Sequence, residues 1–191
     1  MKVMIDPGHG GNDNGAAWGS KLDYIEEDDT NLSIANLVYL MLQLNGLKVD
    51  LTRTRDEYIT LTERAAMANR LNSDIFVSIH CDAFHKETAN GMTVYHYEGT
   101  KNQKTVKLAH CIADQMAWTF KDHRFRGVKT AKYTVLEKTR MPAVLIECEF
   151  VSNPETRRFL KEPEKQFLLA ESITGGIVDF FNSKGVNNGT F

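Results

Sequence analysis

The sequence predicts an α/β fold, a sheet with helices packed on both of its faces. Apolar, β-branched runs alternate with stretches of helical period at near-regular intervals, as they do when strands and helices follow one another in turn. The first run, Val3 to Ile5, stops at Asp6-Pro7 and passes into Gly8-His9-Gly10-Gly11. Glycines after a strand end mark a tight loop, and the carboxyl ends of strands are where open α/β sheets place ligands. A chain of 191 residues can bury one sizeable core and is short for two. It contains no internal repeat or low-complexity segment, so one domain is expected.

The elements follow in order. Residues 12 to 25 are polar and irregular, with Trp18 and Tyr24 as candidate lid or contact aromatics. The acidic run Glu26-Glu27-Asp28-Asp29 precedes a helix expected from about Asn31 to Asn45, with Thr30 opening it and Gly46 ending it. Its Ile34, Leu37, Val38, Met41 and Leu44 recur at helical spacing. Lys48 to Arg53 alternates as a strand. Thr60-Leu61-Thr62-Glu63 has the spacing of a capping box and predicts a helix to about Leu71. Asp74 to His80 is a strongly β-branched strand, and Gly91 opens another, Met92 to Tyr97. A long amphipathic helix is expected over Gln103 to Phe120 and a short strand over Tyr133 to Glu137. Pro142 to Phe150 is an apolar strand that nevertheless carries Glu147 in its middle. Asn153-Pro154-Glu155 starts one helix, with asparagine as cap and proline in the first position. Glu162-Pro163-Glu164 starts the last, which runs to about Phe181; residues 183–191 read as a tail or linker.

Composition excludes several classes. With 23 basic and 25 acidic side chains the formal charge is −2, which leaves no electrostatic footprint for nucleic acid or an anionic membrane. No apolar run of about 18 residues is available for membrane insertion. The first strand begins by residue 2, with no room for a secretory signal. The chain is therefore expected to be made without one and to leave the cytoplasm, if it leaves, by another route. Cys81, Cys111 and Cys148 are odd in number and widely spaced, without a C-x-x-C pair, and read as free thiols. The glycine loop lacks both G-x-G-x-x-G and the Gly-Lys-Ser/Thr of a phosphate-binding loop.

What remains is a set of polar groups at strand ends. His9 follows the first strand and His80 ends the β-branched one. Taken singly, each is as well explained as a turn or core histidine, and an acidic residue before a helix is favoured by the helix dipole. Glu147 is harder to dismiss, because a carboxylate in an apolar strand needs a hydrogen bond, a counter-charge or a metal. In a parallel sheet the carboxyl ends gather on one edge, and the helices that follow begin near it. Two imidazoles and one carboxylate, His9, His80 and Glu27, would make a three-ligand set of the catalytic zinc type, with a fourth position for water. Glu147 would then be free to move a proton.

These residues carry a family resemblance. The chain resembles the zinc-dependent N-acetylmuramoyl-L-alanine amidases of the type-3 amidase family, the catalytic domain of bacterial cell-wall amidases and phage lysins. The similarity extends over almost the whole chain. It rests on Ile5 to Gly11, on Glu27-Asp28-Asp29-Thr30-Asn31-Leu32 as the family's E-K-D-x-N-L, and on Leu51-Thr52-Arg53. It continues through Leu61 to Asn69, Ser78-Ile79-His80-Cys81-Asp82 and Pro142 to Asn153. By this resemblance one zinc ion (Zn2+) is bound by His9, Glu27 and His80, the motif selecting Glu27 over Glu26, and Glu147 is the catalytic acid/base. The substrate it implies is bacterial peptidoglycan, cut at the amide between N-acetylmuramic acid and the L-alanine of the stem peptide. The fold it implies is a single domain, residues 1–182, with a mixed, mostly parallel six-stranded sheet.

Three departures stand out: Cys81 for the usual alanine, Asp82 for asparagine and Glu149 for glycine. Strand alternation puts Glu149 on the face of Glu147, which makes it a rival acid/base. Only about ten residues separate His80 from Gly91, too few for the inhibitory helix that silenced family members carry. This predicts an open site and, with no leader, a phage or prophage endolysin acting on the cell wall, its tail leading to a wall-binding domain outside this chain; a sporulation or autolysin enzyme lacking its leader is the next choice. Two rival readings remain: a cysteine hydrolase with Cys81 as nucleophile and His9 or His85 as base, and a non-catalytic wall-binding domain. His85, His96, His110 and His123 read as surface or packing residues. Arg53 and Arg64 have structural uses such as pairing with Asp56 or Glu63.

Overall fold

The computed structural model describes residues 1–183. The elements are β1 (Lys2–Pro7), β2 (Ala17–Trp18), β3 (Ile25–Glu26), α1 (Glu27–Leu44), β4 (Lys48–Leu51), α2 (Leu61–Arg70) and β5 (Ile75–Asp82). They continue with β6 (Met92–Tyr97), α3 (Gln103–Thr119), β7 (Phe125–Ala131), α4 (Thr134–Lys138), β8 (Ala143–Phe150), α5 (Pro154–Lys161) and α6 (Pro163–Asn182). The main sheet has six strands in the order β4-β1-β5-β8-β6-β7. Its first four are mutually parallel, and β6 and β7, parallel to each other, run against them. The expected mixed, mostly parallel six-stranded sheet is thus the one observed. Apart from Ser183, the expected tail lies outside the described residues.

Strand alternation divides the core into two unequal layers. Val3, Ile5, Ile75, Val77, Ile79, Val144 and Ile146 pack against α1, α3, α5 and α6. Met4, Phe76, Ala143 and Leu145 face the thinner layer of α2 and α4. The period-2 geometry of a strand then places Asp6, Ser78, His80 and Glu147 on this second face. Helices are on both faces, as expected, but the thin layer leaves the carboxyl ends of β5 and β8 open on that side.

Asp6, fully buried, is the polar anchor of that face. Its Oδ1 accepts from Thr52 Oγ1 (2.6 Å) and Arg64 Nη1 (2.8 Å), and its Oδ2 from Ser78 Oγ (2.7 Å). Burial works against its ionisation, but the Arg64 guanidinium and the two hydroxyls outweigh burial and hold the carboxyl below the ordinary range. Arg64 therefore pairs with Asp6; Glu63, the expected partner, pairs with Arg70 instead. Asp56 bonds the amide of Gly11 (2.5 Å) rather than Arg53.

Four elements differ from expectation. Helix α1 begins at Glu27, four residues before Asn31, because Thr30 is no cap: its hydroxyl bonds back to the Glu26 carbonyl (2.9 Å) inside the first turn. The amides of Glu27 and Asp28 are satisfied by the carbonyls of Ala16 and Asn14. Residues 12 to 25 are not wholly irregular, since β2 and β3 form a small antiparallel ladder. The segment 133–137, expected as a strand, is the single helical turn α4. Val135 and Leu136, adjacent in sequence, both enter the thin-layer cluster, whereas neighbours on a strand point to opposite faces. Strand β7 was not anticipated; its Arg126, Gly127 and Lys129 break the apolar alternation, as charged edge strands do.

Asp6→Ala should destabilise the fold by about 3–5 kcal/mol in denaturant titration, since it strands a buried guanidinium. Because the folded-state pKa of Asp6 is depressed, its contribution is present above the ordinary carboxylate range and is lost as pH falls through the lowered folded value. Asp6→Asn should accordingly flatten the acid limb of the stability–pH profile. An unchanged acid limb would show that Asp6 carries no such linkage.

Candidate metal centre

The loop after β1 is built on backbone angles that most residues avoid. His9 has φ 60°, and Gly10 and Gly11 follow at 123° and 67°. Two buried arginines hold it there through its carbonyls. Arg53 donates to Pro7 O (3.1 Å), Gly8 O (2.9 Å) and Asp28 O (2.7 Å), and Arg64 to Pro7 O (2.6 Å) and His9 O (2.6 Å). Arg53 thereby ties the histidine loop to the first turn of α1. Gly8 is required for another reason: a Cβ there would fall 2.2 Å from the His80 ring.

His9, Glu27 and His80 converge. Each offers one ligand atom, and these atoms all lie within 4.8 Å of one another. Glu27 Oε1 is 3.3 Å from His9 Nε2 and 3.0 Å from His80 Nδ1. The two imidazoles meet edge to face, with ring centroids 4.9 Å apart. Glu27 is buried and held on every side. Its Oε2 accepts from the Ala16 amide (2.9 Å), and its Oε1 from the Cys81 amide (3.2 Å) and Asn31 Nδ2 (3.3 Å). Asn31, one turn along α1 from Glu27, also reaches Gly8 O (3.4 Å).

The donor set fits a divalent cation. Burial lowers the pKa of His9, but the Glu27 carboxylate, with Asp13 beside it, outweighs burial and brings it to about 9. Glu27 is in turn held ionised far below its usual range: burial opposes this, and the two imidazoles prevail. An anionic oxygen therefore faces two ring nitrogens across the gap that a divalent cation would fill, and binding one would release any proton held there. His9 Nδ1 is 3.0 Å from Asp13 Oδ1, though at an angle too poor for a hydrogen bond.

Glu147 stands beside this cluster. The parallel register pairs it directly with His80, so both side chains leave the sheet on one face. It is buried, and its Oε2 has no hydrogen-bond partner. Burial raises its pKa well above the usual range, and the charges of Glu27 and Asp82 add to the effect. All four residues line one cavity of about 280 Å³, which is completed by Leu61, Asp82, Tyr133 and Leu145 among others.

Glu149 does not share that cavity. Between the pairs His80–Glu147 and Asp82–Phe150, β8 carries one residue more than β5. This bulge breaks the alternation and turns Glu149 to the opposite side. There it accepts from the Gly91 amide (2.7 Å) and lies 3.5 Å from His123 Nδ1. His123 packs on Phe159, with ring centroids 4.5 Å apart, so it is a packing residue as expected. Cys81 is buried with the thick-layer core, beside Cys148; contact with that thiol and burial push its pKa up, the reverse of what a nucleophile needs. The loop 83–91 contains no helix. Arg53, Arg64 and Asn31 are the residues whose part in the site the sequence did not disclose. All three stand in the quoted motifs, but their acceptors are mainly loop carbonyls brought to them by folding.

Comparison with known proteins agrees with this geometry. Residues 3–179 match the family model Amidase_3, N-acetylmuramoyl-L-alanine amidase. The probable cell wall amidase LytH of Staphylococcus aureus is 34% identical over 184 residues. That alignment covers 95% of this chain and 58% of LytH, so the chain spans little more than half the length of the curated relatives it matches. The crystal structure of N-acetylmuramoyl-L-alanine amidase from Clostridium difficile 630 superposes with a TM-score of 0.90 at 35% identity, covering 96% of this chain and 98% of that one. For the amidase AmiC2 of Nostoc punctiforme the TM-score is 0.87 at 32% identity, with coverage of 95% and 97%. With the fold, the ordered motifs and the family match in agreement, this chain belongs to the type-3 family of N-acetylmuramoyl-L-alanine amidases.

Proposed function

We propose that the protein is a metal-dependent peptidoglycan amidase that cuts the amide between the lactyl group of N-acetylmuramic acid and L-alanine. One observation carries the reading: His9, Glu27 and His80, from three separate segments, bring their ligand atoms within 4.8 Å of one another, beside a buried carboxyl with an unpartnered oxygen. Family membership supports the bond and the substrate, and the two-imidazole, one-carboxylate set favours zinc over harder cations. Bound there, zinc would supply Lewis acidity, polarising the scissile carbonyl and lowering the pKa of water toward neutrality.

The chain's own residues do the rest. Asn31 and the amides of Ala16 and Cys81 fix Glu27, so the carboxylate would hold a bound ion from a position already set. Glu147 takes a proton from the attacking water and delivers it to the departing amine. A carboxyl whose pKa burial raises suits that second task, since it takes up and holds a proton more readily than an exposed one. The products are a lactyl carboxylate and a peptide with free N-terminal L-alanine. Cys81 takes no part, and Glu149 is too far round the bulged strand to act as a second base.

Chelation should abolish release of peptides from purified cell walls, and added zinc should restore it at one ion per chain. Activity that survives complete metal removal would overturn the reading. Glu147→Gln should retain one zinc while cleavage falls by roughly 10²–10⁴-fold; His80→Ala should lose the ion itself. Cleavage that persists in Glu147→Gln would assign proton transfer to another group. Mass spectrometry of the digest should find free L-alanine at the peptide N-terminus, and a new reducing sugar end instead would identify a glycosidase.

A further inference from the structure

A second cavity, of about 290 Å³, adjoins the first and differs from it in charge. Asp82 lines both. On the far side of Asp82 the walls are Phe84, Lys86, Arg124, Arg126 and Phe150. Three cations therefore face one carboxylate, and among the described residues none of the three forms an ion pair. Unpaired basic groups gathered on a concave surface are a feature of anion recognition rather than of stability, since they repel one another in the free protein.

Two strand irregularities build this cavity. The bulge in β8 comes directly before Phe150. A second lies in β7, where Phe125 to Val128 spans one residue more than Met92 to Val94 on β6. The extra residue falls at Arg126-Gly127, and Gly127 takes φ 88° to make it. The result places the Arg126 guanidinium 5.0 Å from the centroid of the buried Phe150 ring, with Nη1 3.4 Å from Asn90 O. One cation of the three is thus held in place, while Lys86 and Arg124 are exposed around it.

The opposite wall of the metal cavity, formed by Leu61, Tyr133, Thr134 and Val135, carries no charged side chain. A peptidoglycan substrate is asymmetric in the same way: the muramic acid unit, its lactyl carboxyl tied up in the amide, is uncharged, and the stem peptide carries free carboxylates. Building on the proposed amidase activity, we infer that the basic cavity of Lys86, Arg124 and Arg126 is a subsite for a stem-peptide carboxylate beyond L-alanine. It orients the substrate with its peptide toward β7 and its sugar toward Tyr133. Arg126 is the principal contact, because a planar guanidinium already seated on an aromatic ring can donate two parallel hydrogen bonds to a carboxylate with little loss of freedom.

The test uses the zinc-loaded full chain and two synthetic substrates. One is N-acetylmuramoyl-L-alanyl-γ-D-glutamyl-L-lysine with its carboxylates free, and the other is the same compound with both carboxylates amidated. Arg126→Ala should raise KM for the free acid about tenfold, with kcat unchanged, and leave the amidated substrate as it was. Lys86→Ala, at an exposed position where folding is undisturbed, should move KM in the same direction by less. A change common to both substrates, or none with either, would overturn the subsite. Binding of the free tripeptide L-alanyl-γ-D-glutamyl-L-lysine gives a readout apart from turnover: it should weaken about tenfold in Arg126→Ala. If the wild-type chain binds the tripeptide but cleaves neither muramyl compound, the amidase reading fails while the subsite stands. Glycerol phosphate, the other anion offered by a cell wall, should compete weakly with the tripeptide; stronger competition would assign the cavity to phosphate and contradict the inference.

Discussion

The site depends on two buried guanidinium groups that hold one strained loop. Arg53 and Arg64 donate to the carbonyls of Pro7, Gly8 and His9, and Asp6 neutralises Arg64 from below at 2.8 Å. A non-glycine residue at φ 60° is uphill by about 1–3 kcal/mol and persists only where its surroundings over-determine it. Those donors do so, and they aim His9 back toward Glu27. The same Arg53 bonds Asp28 O (2.7 Å), so the loop after β1 and the start of α1 are positioned by one side chain. Ligand groups 18 residues apart in sequence are in this way set as a unit.

The other half of the site comes from sheet register. His80 and Glu147 are cross-strand neighbours on β5 and β8, and such neighbours leave the sheet side by side. No loop has to be ordered to bring Glu147 beside the imidazole. Beyond this pair the bulge in β8 ends the alternation, which separates two carboxylates that an unbroken strand would have brought to one face. Glu147 faces the cavity, whereas Glu149 pins Gly91 at the foot of the neighbouring strand β6. Charge is sorted by the same irregularity, with a cavity carboxyl on one side and a packing carboxylate on the other.

How much of this is legible before folding depends on whether the signal is local. His9 and His80 announce themselves by standing after apolar runs, and Glu147 by interrupting one; their meeting follows from parallel topology. Glu27 is different. Among four consecutive acidic residues nothing local singles it out, and only the family motif does so. The parts played by Arg53 and Arg64 are not legible, because their acceptors are backbone carbonyls far away along the chain. Strand β7 is hidden by its own edge chemistry, since Arg126, Gly127 and Lys129 erase the alternation that marks a strand. Segment 133–137 misleads in the opposite sense, with Tyr133, Thr134 and Val135 favouring a strand while Val135 and Leu136, neighbours in sequence, enter one cluster as a helical turn allows. The position of Glu149 cannot be read either, because a bulge is a property of two strands and not of one.

The central claim is that three side chains from separate segments bind one divalent ion together. Anomalous diffraction at the zinc edge from crystals of the zinc-loaded protein tests it most directly. The account predicts a single strong peak in coordination contact with a nitrogen of His9, an oxygen of Glu27 and a nitrogen of His80. A peak elsewhere, or one that touches only one of the three while Glu27 stays bonded to the imidazoles, would contradict it.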